Sequence, residues 1–299
     1  MGEIYMTKDC KRFANRLDSD NDDKLSLIDT ILKNKCKNVL DLGAGTALLS
    51  KEIASKDIHV DAVDINFKAS DLIANDFINY YPIDIVSFIM LNANNCNKYD
   101  CIIFSAVLHE LSPKDFDYIK HHLSKIMDKE GCLLIIREPW YSKKDDYYLP
   151  FRSKAEQEKA VNDILLHTPT SLRVEYFDKR KLNETITIFK SELPYEIRVL
   201  NLAFAYSYGE WSWPREKKES RYAFSYDKLV KWAKFMFNQK AEFTIESKVY
   251  NKKYKDYFKN VGYPEDLTDK IYYTNGLLVI KGKPVRHKIK TLLFNFIQD

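Results

Sequence analysis

The chain lacks the marks of a secreted or membrane-spanning protein. Its five cysteines, Cys10, Cys36, Cys96, Cys101 and Cys132, are scattered and contain no Cys-x-x-Cys pair. An odd, unpatterned set argues against a disulfide framework and for free thiols in a reducing compartment. No apolar run reaches the ~18–20 residues that span a bilayer, and no long apolar stretch follows the N-terminal charges as in a signal peptide. The expected location is cytoplasmic, with no membrane partner. Neither sign of charge dominates: 47 Lys and Arg stand against 43 Asp and Glu, a net +4, too weak a bias to indicate nucleic-acid binding. Internal repeats and low-complexity tracts are absent as well. The acidic stretch Asp18-Ser19-Asp20-Asn21-Asp22-Asp23 superficially resembles a calcium loop. It has neither the required glycine nor the terminal bidentate glutamate at the right spacing, so it is read as a solvated, helix-capping turn and no metal is expected.

What is present is a core of ordinary proportions. With 299 residues, 45% of them apolar and 14% aromatic, the chain suits one large domain with sizeable insertions. Phe13, Leu17, Leu25, Ile28, Ile31 and Leu32 recur at helical intervals before Cys36. Strands then alternate with helices. Val39–Asp41, Val60–Asp64, Asp84–Ile89, Cys101–Ser105 and Cys132–Ile136 read as five strands, the last two apolar throughout, as central parallel strands are. Helical patterns lie between them, such as Phe116–Met127. This alternation predicts an α/β fold: a doubly wound, mostly parallel seven-stranded sheet with helices on both faces. The expected division is an N-terminal helical lid (1–36), an alternating strand-and-helix core (37–137), a helical and aromatic insertion after the fifth strand (138–225) and a C-terminal completion of the sheet (226–299). The last part holds a helix from Ser225 to Phe237 and strands at Phe243–Val249 and Gly276–Lys281.

The first strand leads into Asp41-Leu42-Gly43-Ala44-Gly45-Thr46-Ala47, and a helical pattern begins at Leu48. A strand, a tight glycine turn and a helix N-terminus together form a seat for a nucleoside-like ligand, because glycine admits close backbone approach and the helix start presents unpaired N–H groups. The dinucleotide fingerprint Gly-x-Gly-x-x-Gly requires a glycine where Leu48 stands, which weakens a reading as an NAD or FAD site. The motifs from 35 to 140, and again the last two strands, resemble the class I, Rossmann-like S-adenosylmethionine-dependent methyltransferases. The first motif is Asp41-x-Gly43-x-Gly45, with Ala47 where that family usually has a third glycine. The second is Asp64, ending the second strand, whose carboxylate suits two ribose hydroxyls; Asp61 sits too early. Asn92-Ala93 is matched to the family's acidic-small pair after the third strand, near adenine. The fourth strand continues into Ser105-Ala106-Val107-Leu108-His109-Glu110-Leu111. The resemblance implies S-adenosyl-L-methionine as cofactor, held by Asp41, Gly43, Ala44, Gly45, Asp64, Ile65, Asn92, Ala93 and Ser105.

The residues at the end of the fourth strand narrow the acceptor. The pattern of exocyclic-amino base methyltransferases, a polar residue before Pro-Pro-aromatic, is missing, and so is the Pro-Cys of cytosine-C5 enzymes. Ser105 stands where the ribose-2′-O class carries Asp, and Asp100 begins the strand at the opposite edge. Candidate catalytic groups are His109, Glu110, Arg137 and Glu216. Imidazole as a side-chain type titrates near neutrality, so His109 suits a base, or it only packs beside the cofactor. Glu110 is its neighbour, though adjacent helical residues do not face each other. Arg137-Glu138 either binds substrate or anchors the insertion. Within the insertion, Trp211, Trp213, Arg215, Arg221 and Tyr222 form an aromatic and charged cluster that suits a flat polar acceptor, or a small lid core. The run Tyr250–Lys259 interleaves aromatic and basic residues, which suits nucleic acid or a surface helix. The favoured reading is methyl transfer to an O or N atom of a small molecule. Alternatives are an RNA- or nucleotide-modifying methyltransferase and a non-catalytic scaffold of the same fold.

Overall fold

A computed structural model of the chain describes residues 21–68, 75–94, 98–139, 155, 226–250 and 274–285. Five helices and seven strands lie in these segments in the order α1 (Asn21–Lys33), β1 (Asn38–Leu42), α2 (Leu48–Ala54), β2 (His59–Val63), β3 (Ile78–Tyr81), α3 (Ile85–Asn92), β4 (Cys101–Ser105), α4 (Pro113–His122), β5 (Cys132–Pro139), α5 (Tyr226–Lys234), β6 (Glu242–Tyr250) and β7 (Thr274–Gly282). Single 3-10 turns occupy Leu108–Glu110 and Leu123–Lys125. No helix among the described residues is long and apolar enough to cross a membrane.

All seven strands form one sheet in the order β3-β2-β1-β4-β5-β7-β6. β1 pairs in parallel with β2 and β4, β2 with β3, and β4 with β5. β7 runs antiparallel to both β5 and β6. The architecture is the doubly wound α/β sheet expected, mixed rather than wholly parallel. Strand order reverses between β1 and β4, and in open sheets of this kind a ligand crevice opens at that reversal, outside the carboxyl ends of the strands.

The period of two along each strand sorts side chains to the two faces. Leu40, Leu42, Ile102, Phe104, Leu134 and Ile136 meet Phe88 of α3, Ile119 of α4 and Leu229 and Trp232 of α5 on one face. Val39, Cys101, Ile103, Leu133 and Ile135 meet Leu27, Ile28 and Ile31 of α1 and Leu49 and Ile53 of α2 on the other. The described part of the N-terminal segment is therefore a core-packing layer helix. On the opposite face, Trp232 stacks on Phe116 with centroids 4.5 Å apart and donates its indole N–H to the Phe116 carbonyl at 3.1 Å, joining α5 to α4.

Two expectations need correction. The apolar run Asp84–Ile89 is not the third strand: Ile85–Asn92 is helix α3. Asp84 caps its N-terminus, accepting from the Ser87 N–H at 2.8 Å, and Ile85, Phe88 and Ile89 form a buried i, i+3, i+4 stripe, which is helical and not strand spacing. The third strand is the shorter, more polar Ile78–Tyr81 at the sheet edge. The fifth strand also extends to Pro139, so Glu138 belongs to the sheet and not to the insertion.

Candidate active site

The crevice at the strand reversal is built from two turns, one after β1 and one after β4. In the first, Gly43 and Ala44 donate their N–H groups to the Val63 carbonyl at 2.8 and 3.0 Å, tying the turn to the end of β2. Gly43 has φ +77°, and a Cβ there would lie 2.3 Å from Val107 Cγ2, in the second turn. The two turns are thus in van der Waals contact, and only glycine fits between them. Gly45 differs: its φ is +57°, yet a Cβ would meet nothing within 4 Å. Its outer side is open, the space a ligand backed against this turn requires. Ala47 takes the left-handed conformation (φ 57°) at the start of α2 with its methyl buried in the core. The alanine at the third-glycine place thus keeps the glycine-like backbone.

Asp64 follows β2 at the same edge. Gly45 donates its N–H to Asp64 Oδ2 at 2.8 Å, and Asn66 donates its N–H to Oδ1 at 2.8 Å. The carboxylate is half-buried, and each oxygen keeps a further lone-pair site for a hydroxyl donor. Ile65 beside it is 60% exposed and Leu48, the first residue of α2 after the glycine turn, is 44% exposed. Asp61, by contrast, is buried in a network within the sheet: it accepts from Asn79 Nδ2 at 2.8 Å, Lys98 Nζ at 2.6 Å and the Tyr99 hydroxyl at 2.5 Å. Burial and the neighbouring Asp61 carboxylate push the Tyr99 phenol far above its ordinary value.

Other expected cofactor residues divide. Asp41 is buried and accepts from the Ser50 hydroxyl at 2.5 Å, a bond that fastens α2 to β1. Ser105 ends β4 beside Arg137 of β5, with Arg137 Nη1 3.5 Å from Ser105 Oγ. Asn92-Ala93 is misplaced because it depended on the wrong third strand. Asn92 donates its side-chain N–H to the Phe88 carbonyl at 2.9 Å, and Ala93 is the C-cap of α3, on the order of 12 Å along the helix from its start at the carboxyl edge. The acidic residue that follows the true third strand is Asp84. Asp100 receives the Lys37 and Asn38 N–H groups at 2.8 and 3.0 Å at the opposite edge of the sheet, as its position at the start of β4 requires.

The second turn carries the largest surprise. Glu138 is fully buried. Its Oε1 accepts both the Val107 and Leu108 N–H groups at 2.6 Å, and its Oε2 lies 2.7 Å from His109 Nδ1. His109 is itself 2% exposed. The partner that orients His109 is therefore Glu138, 29 residues away, and not the adjacent Glu110, which is exposed. Period two was the available signal: Glu138 continues the face of Cys132, Leu134 and Ile136, where a charge is out of place unless paired. Arg137 is buried too, but the same alternation turns it to the other face, so Arg137-Glu138 is not a unit. Trp211, Trp213, Arg215, Glu216, Arg221 and Tyr222, and the run after Tyr250, lie outside the described residues. Among the described residues no cluster of His, Cys, Asp and Glu could hold a metal ion.

No family model and no curated protein matches the sequence. Solved structures share its general shape loosely. The chain is similar to a SAM-dependent methyltransferase from Archaeoglobus fulgidus at 11% identity and TM-score 0.42, over 86% of this chain and 93% of that one. A SAM-dependent methyltransferase from Methanosarcina mazei is similar at 13% identity and TM-score 0.41, over 82% of this chain and 92% of that one. The N-methyltransferase NodS from Bradyrhizobium japonicum, in complex with S-adenosyl-L-homocysteine, is similar at 18% identity and TM-score 0.36, over 42% of this chain and 66% of that one.

Proposed function

We propose that the chain is an S-adenosylmethionine-dependent methyltransferase acting on an O or N atom of a small molecule. The observation that carries this reading is Asp64, held by the Gly45 N–H beside the open side of the glycine turn, at the strand reversal. A carboxylate with lone pairs to spare, next to exposed backbone and the apolar Ile65 and Leu48, matches a ligand with a vicinal diol and a flat base. Asp64 would hold the ribose hydroxyls, Gly43 and Gly45 would let the ligand lie against the backbone, and Ile65 would cover one side of adenine. When bound, S-adenosylmethionine supplies a methyl group already activated on a sulfonium. The chain's own residues have to bind the acceptor in line with that methyl, exclude water and, for an acceptor that loses a proton, take it up. His109 stands on the turn that touches Gly43 and is the group suited to the last task.

A small-molecule acceptor is favoured because the net charge of +4 gives no electrostatic footprint for nucleic acid and the end of β4 lacks the base-modifying patterns. The test is release of S-adenosylhomocysteine from S-adenosylmethionine, with metabolite, RNA and protein fractions as acceptors. Stimulation by the metabolite fraction is expected; stimulation by RNA alone or protein alone overturns the acceptor class.

A further inference from the structure

We infer that Glu138 is a positioning residue that fixes which nitrogen of His109 carries the proton, leaving Nε2 as the proton acceptor of the site; this rests on the methyltransferase reading above. Two donors in the turn cannot change role. The Val107 and Leu108 N–H groups both point at Glu138 Oε1 at 2.6 Å. A backbone amide only donates, so Oε1 must be an acceptor. A buried carboxylate is costly without partners, and the remaining oxygen, Oε2, has His109 Nδ1 at 2.7 Å. The satisfied arrangement puts the proton on Nδ1, donating to Oε2. In the neutral ring Nε2 then carries the lone pair.

Glutamine would fill the same volume but reverse the chemistry. Its carbonyl would be claimed by the two amides, and its NH2 would face Nδ1 as a donor. Nδ1 would have to accept and the proton would move to Nε2. Glutamate at this place therefore selects one tautomer, the logic by which a buried carboxylate orients a histidine base in hydrolases. Location ties the pair to the proposed chemistry: the turn holding Val107, Leu108 and His109 closes on Gly43 at the strand reversal. In the step itself, the acceptor's lone pair forms the bond to the methyl carbon. The pair of the breaking C–S bond stays on sulfur, the acceptor's proton passes to Nε2, and the imidazolium so formed is stabilised by Glu138 until it returns the proton to solvent.

Nitrogen-15 NMR of the histidine-labelled full-length chain, alone and with S-adenosylmethionine or S-adenosylhomocysteine, tests this. At a pH where the ring is neutral, His109 is expected with Nδ1 protonated and Nε2 bare; Glu138→Gln is expected to exchange the two. The two ligands differ by one methyl and one positive charge, so the Nε2 resonance of His109 is expected to move between their complexes. His59, at the start of β2, and His121 and His122, at the end of α4, are expected to stay unchanged. A wild-type ring protonated at Nε2 overturns the inference, even if the glutamine variant does not fold. An Nε2 resonance identical in the two complexes overturns the placement of His109 at the transfer site. Calorimetry separates the premise: absence of binding by either ligand overturns the methyltransferase reading, while the wild-type tautomer still decides the Glu138–His109 arrangement.

Discussion

A methyl group at position 43 has no room, whereas one at position 45 has all it needs. Both glycines are left-handed, so alanine at either costs about 1–2 kcal/mol in backbone strain, partly offset by ~0.4–1 kcal/mol from a stiffer unfolded chain. Only at Gly43 does the new Cβ fall 2.3 Å from Val107 Cγ2, which adds about 1–3 kcal/mol of overpacking. Urea denaturation should show Gly43→Ala destabilised by about 2–4 kcal/mol and Gly45→Ala by about 1 kcal/mol or less, with Gly43→Ala/Val107→Ala recovering part of the difference. Equal losses at the two positions would mean that the turns do not touch. A second residue-level expectation concerns Ser50→Ala, which removes the hydroxyl donor from the buried Asp41 carboxylate and should cost about 1.5–3 kcal/mol by the same measurement. The glycines and Asp64 were legible in the sequence because backbone freedom and an acidic strand end are local signals. The role of Glu138 was not: period two marks the residue as inward-facing, but its partner lies 29 residues away and shows only when β5 is laid against the turn after β4.

At the level of elements, the sequence identified six of the seven strands and failed where local composition and tertiary placement disagree. Ile85–Asn92 is rich in apolar and β-branched residues that favour strands in isolation. Asp84 and the buried stripe Ile85, Phe88 and Ile89 make it a helix, and the polar edge strand Ile78–Tyr81 gave almost no signal. If the cap starts α3, Asp84→Ala should cost about 1 kcal/mol at neutral pH. Burial tends to raise the Asp84 carboxyl, but hydrogen bonds from the Ser87 hydroxyl and the surrounding amides outweigh it and hold the group below its ordinary value. A native value below the unfolded one means that the contribution is full above the ordinary carboxylate range and fades as pH falls through the native value. Denaturation of wild type and variant from neutral pH to about pH 3 should therefore show the gap closing on the acid side. A gap that stays constant with pH would assign the cap's effect to something other than the carboxylate's charge.

On the scale of the whole molecule, the sheet that carries the crevice also seals three thiols. Cys36, Cys101 and Cys132 are buried and form no disulfide, and burial pushes the Cys101 and Cys132 thiols well above their ordinary values. A thiol-reactive dye should therefore reach these three of the chain's five cysteines only at the rate of unfolding, and rapid reaction of all five in the native state would contradict the packing described. The same core sets the glycine turn, Asp64 and the Glu138–His109 pair at one sheet edge, and the proposed activity requires that edge to bind S-adenosylmethionine. Calorimetric titration of the folded chain with S-adenosylmethionine and S-adenosylhomocysteine tests this most directly. Saturable one-to-one binding is predicted, weakened about tenfold or more by Asp64→Ala through loss of the hydrogen bonds to the ribose. No binding at millimolar ligand by a folded sample, or an Asp64→Ala variant that binds as well as wild type, would contradict it.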